Sequence, residues 1–69
     1  MERQSIYSSA LASAGYDSSL EIMEVEFNTG EIYQYKGIPQ SEYEAFLNAD
    51  SHGIYFSENI KDAYEFVKL

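Results

Sequence analysis

Apolar and polar residues alternate along two short arms flanking Asn28-Thr29-Gly30. Met23, Val25 and Phe27 interleave with Glu24 and Glu26 before the turn; Tyr33 and Tyr35 interleave with Gln34 and Lys36 after it. A period of two on both sides of a turn sequence predicts a β-hairpin. With Gly30 left-handed in a three-residue loop, Phe27 opposes Glu31, Val25 opposes Tyr33 and Met23 opposes Tyr35. That register puts Met23, Val25, Phe27, Tyr33 and Tyr35 on one face, and Glu24, Glu26, Gln34 and Lys36 on the other. A two-residue Thr29-Gly30 loop would set Tyr33 opposite Glu26 and mix the faces. The three-residue loop is the consistent one.

The hairpin predicts its neighbours. Residues 6–16 are rich in alanine and serine around Leu11; the serines and Gly15 count against a helix, so a strand is expected there. Asp17-Ser18-Ser19 turns the chain into a second strand over 20–27. Gly37-Ile38-Pro39 ends the third, because proline has no N–H for a ladder and holds Ile38 extended. Tyr43, Phe46 and Leu47 then mark the buried stripe of a helix, opened either by Pro39 or by a Ser41 cap with Glu44 three residues on. Asn48 to Gly53 favours turns. A final helix is expected from a Ser57 cap, with Ile60, Ala63, Tyr64 and Val67 at i, i+3, i+4 and i+7. The expected fold is α+β: a three-stranded antiparallel sheet in the order β-β-β-α-α, with two helices packed on its aromatic face. Residues 1–69 make one domain. The expected core is Phe27, Phe46, Leu47, Ile60, Tyr64 and Val67 with Val25 and Tyr33. Leu20 and Ile22 break the polar pattern of the outer face, which points to a dimer contact or a bulge there.

Composition narrows the chemistry. With no cysteine among 69 residues, disulfides, thiolate nucleophiles and cysteine metal sites are excluded. No apolar run approaches the length of about 20 residues that spans a bilayer. The cytoplasm is the expected location, with no membrane partner and no small-molecule substrate. A net charge of −8 disfavours polyanions, and Arg3, Lys36, Lys61 and Lys68 are scattered in sequence.

An ordered set of landmarks runs through nearly the whole chain. It begins with Ser8-Ser9 and Gly15-Tyr16-Asp17, then Leu20 to Phe27 leading through Gly30 to Tyr33-Gln34-Tyr35. Ile38-Pro39, Tyr43, Leu47, Ala49, Ser51 to Phe56, Ile60 and Tyr64 complete it. In this set the chain resembles the KTSC domain family, found at the C-terminus of some lysyl-tRNA synthetases and as free-standing small bacterial proteins. The resemblance implies a small α+β module with a role linked to RNA or to a translation-related protein; no catalysis is expected, because too few ionisable groups cluster for bond-making. It makes Tyr33, Tyr35, Tyr55 and Tyr64 family-motif tyrosines. It also implies that arginine commonly stands where this chain has Lys61, which keeps the charge and loses the two-pronged fork.

The local chemistry agrees with a binding module. Ser51-His52-Gly53 is the densest polar cluster, yet serine and histidine one position apart need not meet, and no nucleophile-elbow pattern surrounds Ser51. His52 with Asp50 gives two metal ligands where a catalytic zinc needs three. No cofactor is expected. Ser51, the Gly53 N–H and Lys61 form a candidate contact for a phosphate of RNA or for a partner, with His52 exposed beside them. Tyr33 and Tyr35 are either core residues, as the register indicates, or a stacking platform for unpaired bases. The alternative function is a protein-interaction domain, homodimeric or presenting its acidic surface to a basic partner.

Overall fold

The computed structural model describes all 69 residues. It contains, in order, β1 (Arg3–Ser5), β2 (Leu11–Asp17), β3 (Ile22–Phe27), β4 (Ile32–Lys36), α1 (Gln40–Leu47), α2 (His52–Asn59) and β5 (Phe66–Lys68). The strands form one antiparallel sheet in the order β1-β2-β3-β4-β5, so both helices lie between the fourth and fifth strands. The three-stranded β-β-β-α-α expectation is therefore corrected to five strands: an extra strand sits at each edge.

The central hairpin has the expected register. Val25 pairs with Tyr33 and Met23 with Tyr35. Phe27 N–H donates to the Glu31 carbonyl at 2.9 Å, and Gly30 takes φ 95°, a geometry a Cβ disfavours. Asp17 turns the chain as expected, its carboxylate accepting from the Ser19 and Leu20 N–H groups.

The strand expected over 6–16 forms only from Leu11, as β2, and a separate strand, β1, precedes it at Arg3–Ser5. Ser8 Oγ accepts from the Ala10 and Leu11 N–H groups, which folds residues 6–10 into a turn and returns β1 alongside β2. Gly15 makes this approach possible, since a Cβ there would collide with the Glu2 carbonyl and sit 3.1 Å from Arg3 Cγ. The last expected helix is also corrected. Ser51, not Ser57, caps α2, its Oγ accepting from Ile54 N–H at 3.2 Å; Ser57 lies inside the helix and donates back to the Ile54 carbonyl. The chain leaves helix geometry after Ile60 and ends in β5. Ile60 and Tyr64 do pack on the core, so their helical spacing misled. The β-prone pair Phe66-Val67, with Lys68, extends the ladder of β4 instead. Val67 accordingly faces outward and leaves the expected core. Pro39 caps α1 directly, its carbonyl accepting from Glu42 and Tyr43, without help from Ser41.

One face of the sheet and the two helices enclose the core of Leu11, Ala14, Met23, Val25, Tyr35, Ile38, Tyr43, Phe46, Phe56 and Ile60. Phe56 from α2 meets Phe27 and Tyr35 edge-on at 5.7 and 5.3 Å. The opposite face is not simply wet. Arg3 reaches across Gly15 to an ion pair with Glu24, and Gln34 donates to the same carboxylate at 2.8 Å, leaving Glu24 6% exposed. Burial pushes this carboxyl's pKa up, but the hydrogen bonds from Gln34 and Arg3 and the Arg3 charge outweigh it, and the net shift is downward.

Candidate binding surface

Two surfaces bracket α2. At its N-terminal end Ser51, His52 and Gly53 line a groove of about 360 Å³ with Tyr7, Ser8 and Asp50. The Ser51 hydroxyl is engaged in the helix cap. His52 Nε2 lies 3.2 Å from the Leu47 carbonyl oxygen, and its ring meets Phe46 edge-on at 5.3 Å. Serine and histidine are thus turned to different partners and form no nucleophile–base pair. A Cβ at Gly53 would lie 3.0 Å from Ser8 Oγ, so the glycine lets the 6–10 turn approach the helix. No group of three or more histidine and carboxylate side chains is placed to hold a metal ion.

Lys61 stands apart from that cluster. It follows the far end of α2, a helix whose eight residues rise about 12 Å. The side chain borders a larger cavity of about 560 Å³, walled by Phe27, Tyr33, Tyr35 and Phe66 and edged by Asp62 and Asn28. Tyr33 lies 5.4 Å from Phe66, and Tyr35 lies 5.5 Å from it. The other two lysines lie near β5 without lining this cavity. Lys36 ends β4, where its N–H donates to the Glu65 carbonyl at 2.8 Å. Lys68 on β5 pairs with Glu31 at 2.5 Å. Three of the four basic residues therefore surround β5. The sequence hid this because β5 was read as helix.

The four motif tyrosines divide by environment. Tyr35 is buried in the core, and burial raises its pKa, with the charges of Tyr33 and Asp62 adding to the effect. Tyr33 is half-buried at the cavity wall. Tyr55 donates to Glu42 Oε1 at 3.0 Å; desolvation, that hydrogen bond and the carboxylate charge raise its pKa. Tyr64 packs beside the core, its pKa raised by desolvation and by Glu42. Tyr35 joins the sheet to α2 and Tyr55 joins α2 to α1, whereas Tyr33 packs among strand residues at the cavity wall.

A five-stranded sheet with one aromatic face under two short helices defines a small α+β module. The chain belongs to the KTSC domain family, whose model matches residues 7–64. The crystal structure of a KTSC domain protein from Yersinia pestis superposes with a TM-score of 0.93 at 35% identity, covering 99% of this chain and 96% of that one. A protein from Stutzerimonas stutzeri is 43% identical over 61 residues, 88% of this chain and 86% of its own length. A lysine–tRNA ligase from Nostoc punctiforme is 31% identical over 61 residues. This chain spans only 11% of that ligase. No helix is long and apolar enough to cross a membrane.

Proposed function

We propose that this chain is a non-catalytic binding module associated with RNA, and that it meets unpaired RNA at the lysine–aromatic surface around Lys61. The observation that carries the reading is the likeness to a segment of lysine–tRNA ligases, proteins named for acting on a tRNA. The chemistry of the surface supports it. Tyr33 and Phe66 offer ring faces to a base, and Lys61 offers a cation to a phosphate beside them. Ser51 and Gly53, at the other end of α2, would meet a second phosphate only on a strand that runs along the helix.

The net charge of −8 makes such binding weak and salt-sensitive. With at most Lys61 and Lys68 engaged, log K should fall against log salt with a slope of about −1.4 for a single strand. Fluorescence anisotropy of a labelled single-stranded RNA, read at several salt concentrations, tests this. Lys61→Glu should weaken binding on every RNA sequence and flatten the slope. An unchanged affinity for this variant would remove Lys61 from the site. A complete lack of binding at low salt would favour the protein-interaction reading.

A further inference from the structure

The outer edge of the sheet at β5 is open, and its pattern matches itself. In the β4–β5 ladder, Glu65 accepts from Lys36 N–H and Leu69 N–H donates to the Ile32 carbonyl. Backbone direction alternates along a strand, so Glu65, Val67 and Leu69 turn their peptide groups toward β4. Phe66 and Lys68 turn theirs outward, where no further strand follows. The same stretch exposes apolar side chains: Phe66 is 52%, Val67 38% and Leu69 65% exposed. The opposite edge strand carries Arg3, Gln4 and Ser5, a polar sequence that discourages pairing.

We propose that β5 is the site of homodimerisation, pairing antiparallel with β5 of a second copy to make one continuous ten-stranded sheet. The occupant follows from register. Only one antiparallel pairing sets the outward groups of Phe66 and Lys68 opposite one another in both copies, and its two-fold axis passes between the two Val67 residues. It forms four backbone hydrogen bonds. On the helix face it lays each Phe66 ring beside Lys68 of the second copy, a cation–π contact. On the outer face it buries Val67 against Val67 in a close, non-hydrogen-bonded pair.

Charge permits the pairing here and opposes it elsewhere. Lys36, Lys61 and Lys68 are matched around β5 by Glu31, Asp62 and Glu65, a local balance of zero. The remaining surface therefore carries the whole net charge of −8. A β5–β5 contact joins the neutral patches and keeps the acidic surfaces apart. The residual repulsion is long-range, so added salt strengthens the dimer. RNA binding at Lys61 weakens with salt, and the two properties are thereby separable.

The test combines sedimentation velocity with amide hydrogen exchange on the full chain, from micromolar to millimolar concentration at low and high salt. Dimer should grow with concentration and with salt. Val67 and Leu69 amides should exchange slowly throughout, whereas Phe66 and Lys68 amides should slow only as dimer forms. A chain synthesised with an N-methyl group on the Phe66 amide keeps every side chain and every β4–β5 bond but loses two intermolecular hydrogen bonds. Its dimer should dissociate at roughly tenfold higher concentration or more. A monomer at millimolar concentration in high salt overturns the proposal. So does a dimer that the N-methyl group leaves unchanged, or one whose concentration-dependent protection appears away from β5.

Discussion

Gly15→Ala places one methyl group where β1 lies alongside β2, and its cost can be worked from the contacts. The new Cβ would strike the Glu2 carbonyl oxygen, a backbone atom that cannot swing aside, and crowd Arg3 Cγ. β1, only three residues long, must shift, and Arg3 then loses its hold on Ser13 Oγ (2.9 Å) and on Glu24. A hydrogen bond to a charged group contributes about 1.5–3 kcal/mol, and the partial exposure of Arg3 lowers the gain toward the bottom of that range. About 2 kcal/mol is the expected loss, against a total of about 3–10 kcal/mol for a chain of this size. In a thermal melt followed by circular dichroism this corresponds to a midpoint roughly 8–16 °C lower. The Glu24→Gln background supplies the control. There the charge is already gone, so Gly15→Ala should cost less, and the difference measures the coupling. A melt within about 2 °C of the parent would refute the argument, as would full additivity in the cycle.

Gly30→Ala should lower stability by about 1 kcal/mol or more, because alanine must adopt the left-handed geometry of the hairpin loop; an unchanged urea midpoint would contradict the turn. Phe46→Ala should cost about 3–5 kcal/mol, since the ring is fully buried between Tyr43, His52 and Tyr55, and denaturant melts showing a loss below about 1 kcal/mol would overturn its place in the core. Alkaline pH should unfold the protein. Burial raises the pKa of Tyr35 and Tyr43, so their contribution is whole below the ordinary tyrosine value of about 10 and is lost as pH rises through the native one. Urea midpoints that stay level into that alkaline range would contradict it.

The middle of the fold was legible in the chain because its signal is local. Alternation from Met23 to Phe27 and from Tyr33 to Tyr35, with a glycine to close the loop, leaves one register that keeps the faces apart. The edges were not legible, because each depends on a distant partner. Arg3-Gln4-Ser5 has no apolar alternation and becomes a strand through its ladder with β2 and the Arg3–Glu24 pair. The segment after Ile60 has apolar residues at both helical and strand spacing, and the open edge of β4 decides between them. The candidate site divided for the same reason. Ser51, His52 and Gly53 are adjacent in sequence and stay together, whereas Lys61 joins Phe66 and the two tyrosines only once β5 has docked. A sharper signal for α2 was present in Ser51 itself, a serine three residues before Ile54 with no proline between them and Asn59.

The most direct measurement is a backbone amide titration of the full chain with short single-stranded RNA and with tRNA, at low and at moderate salt. The account predicts small, saturable shifts that cluster at Lys61, Asp62, Tyr33 and Phe66 and shrink as salt rises, with no comparable set at Leu20 or on the acidic outer face. No shift with either RNA at low salt, or shifts that ignore salt and lie away from the Lys61 cavity, would contradict it.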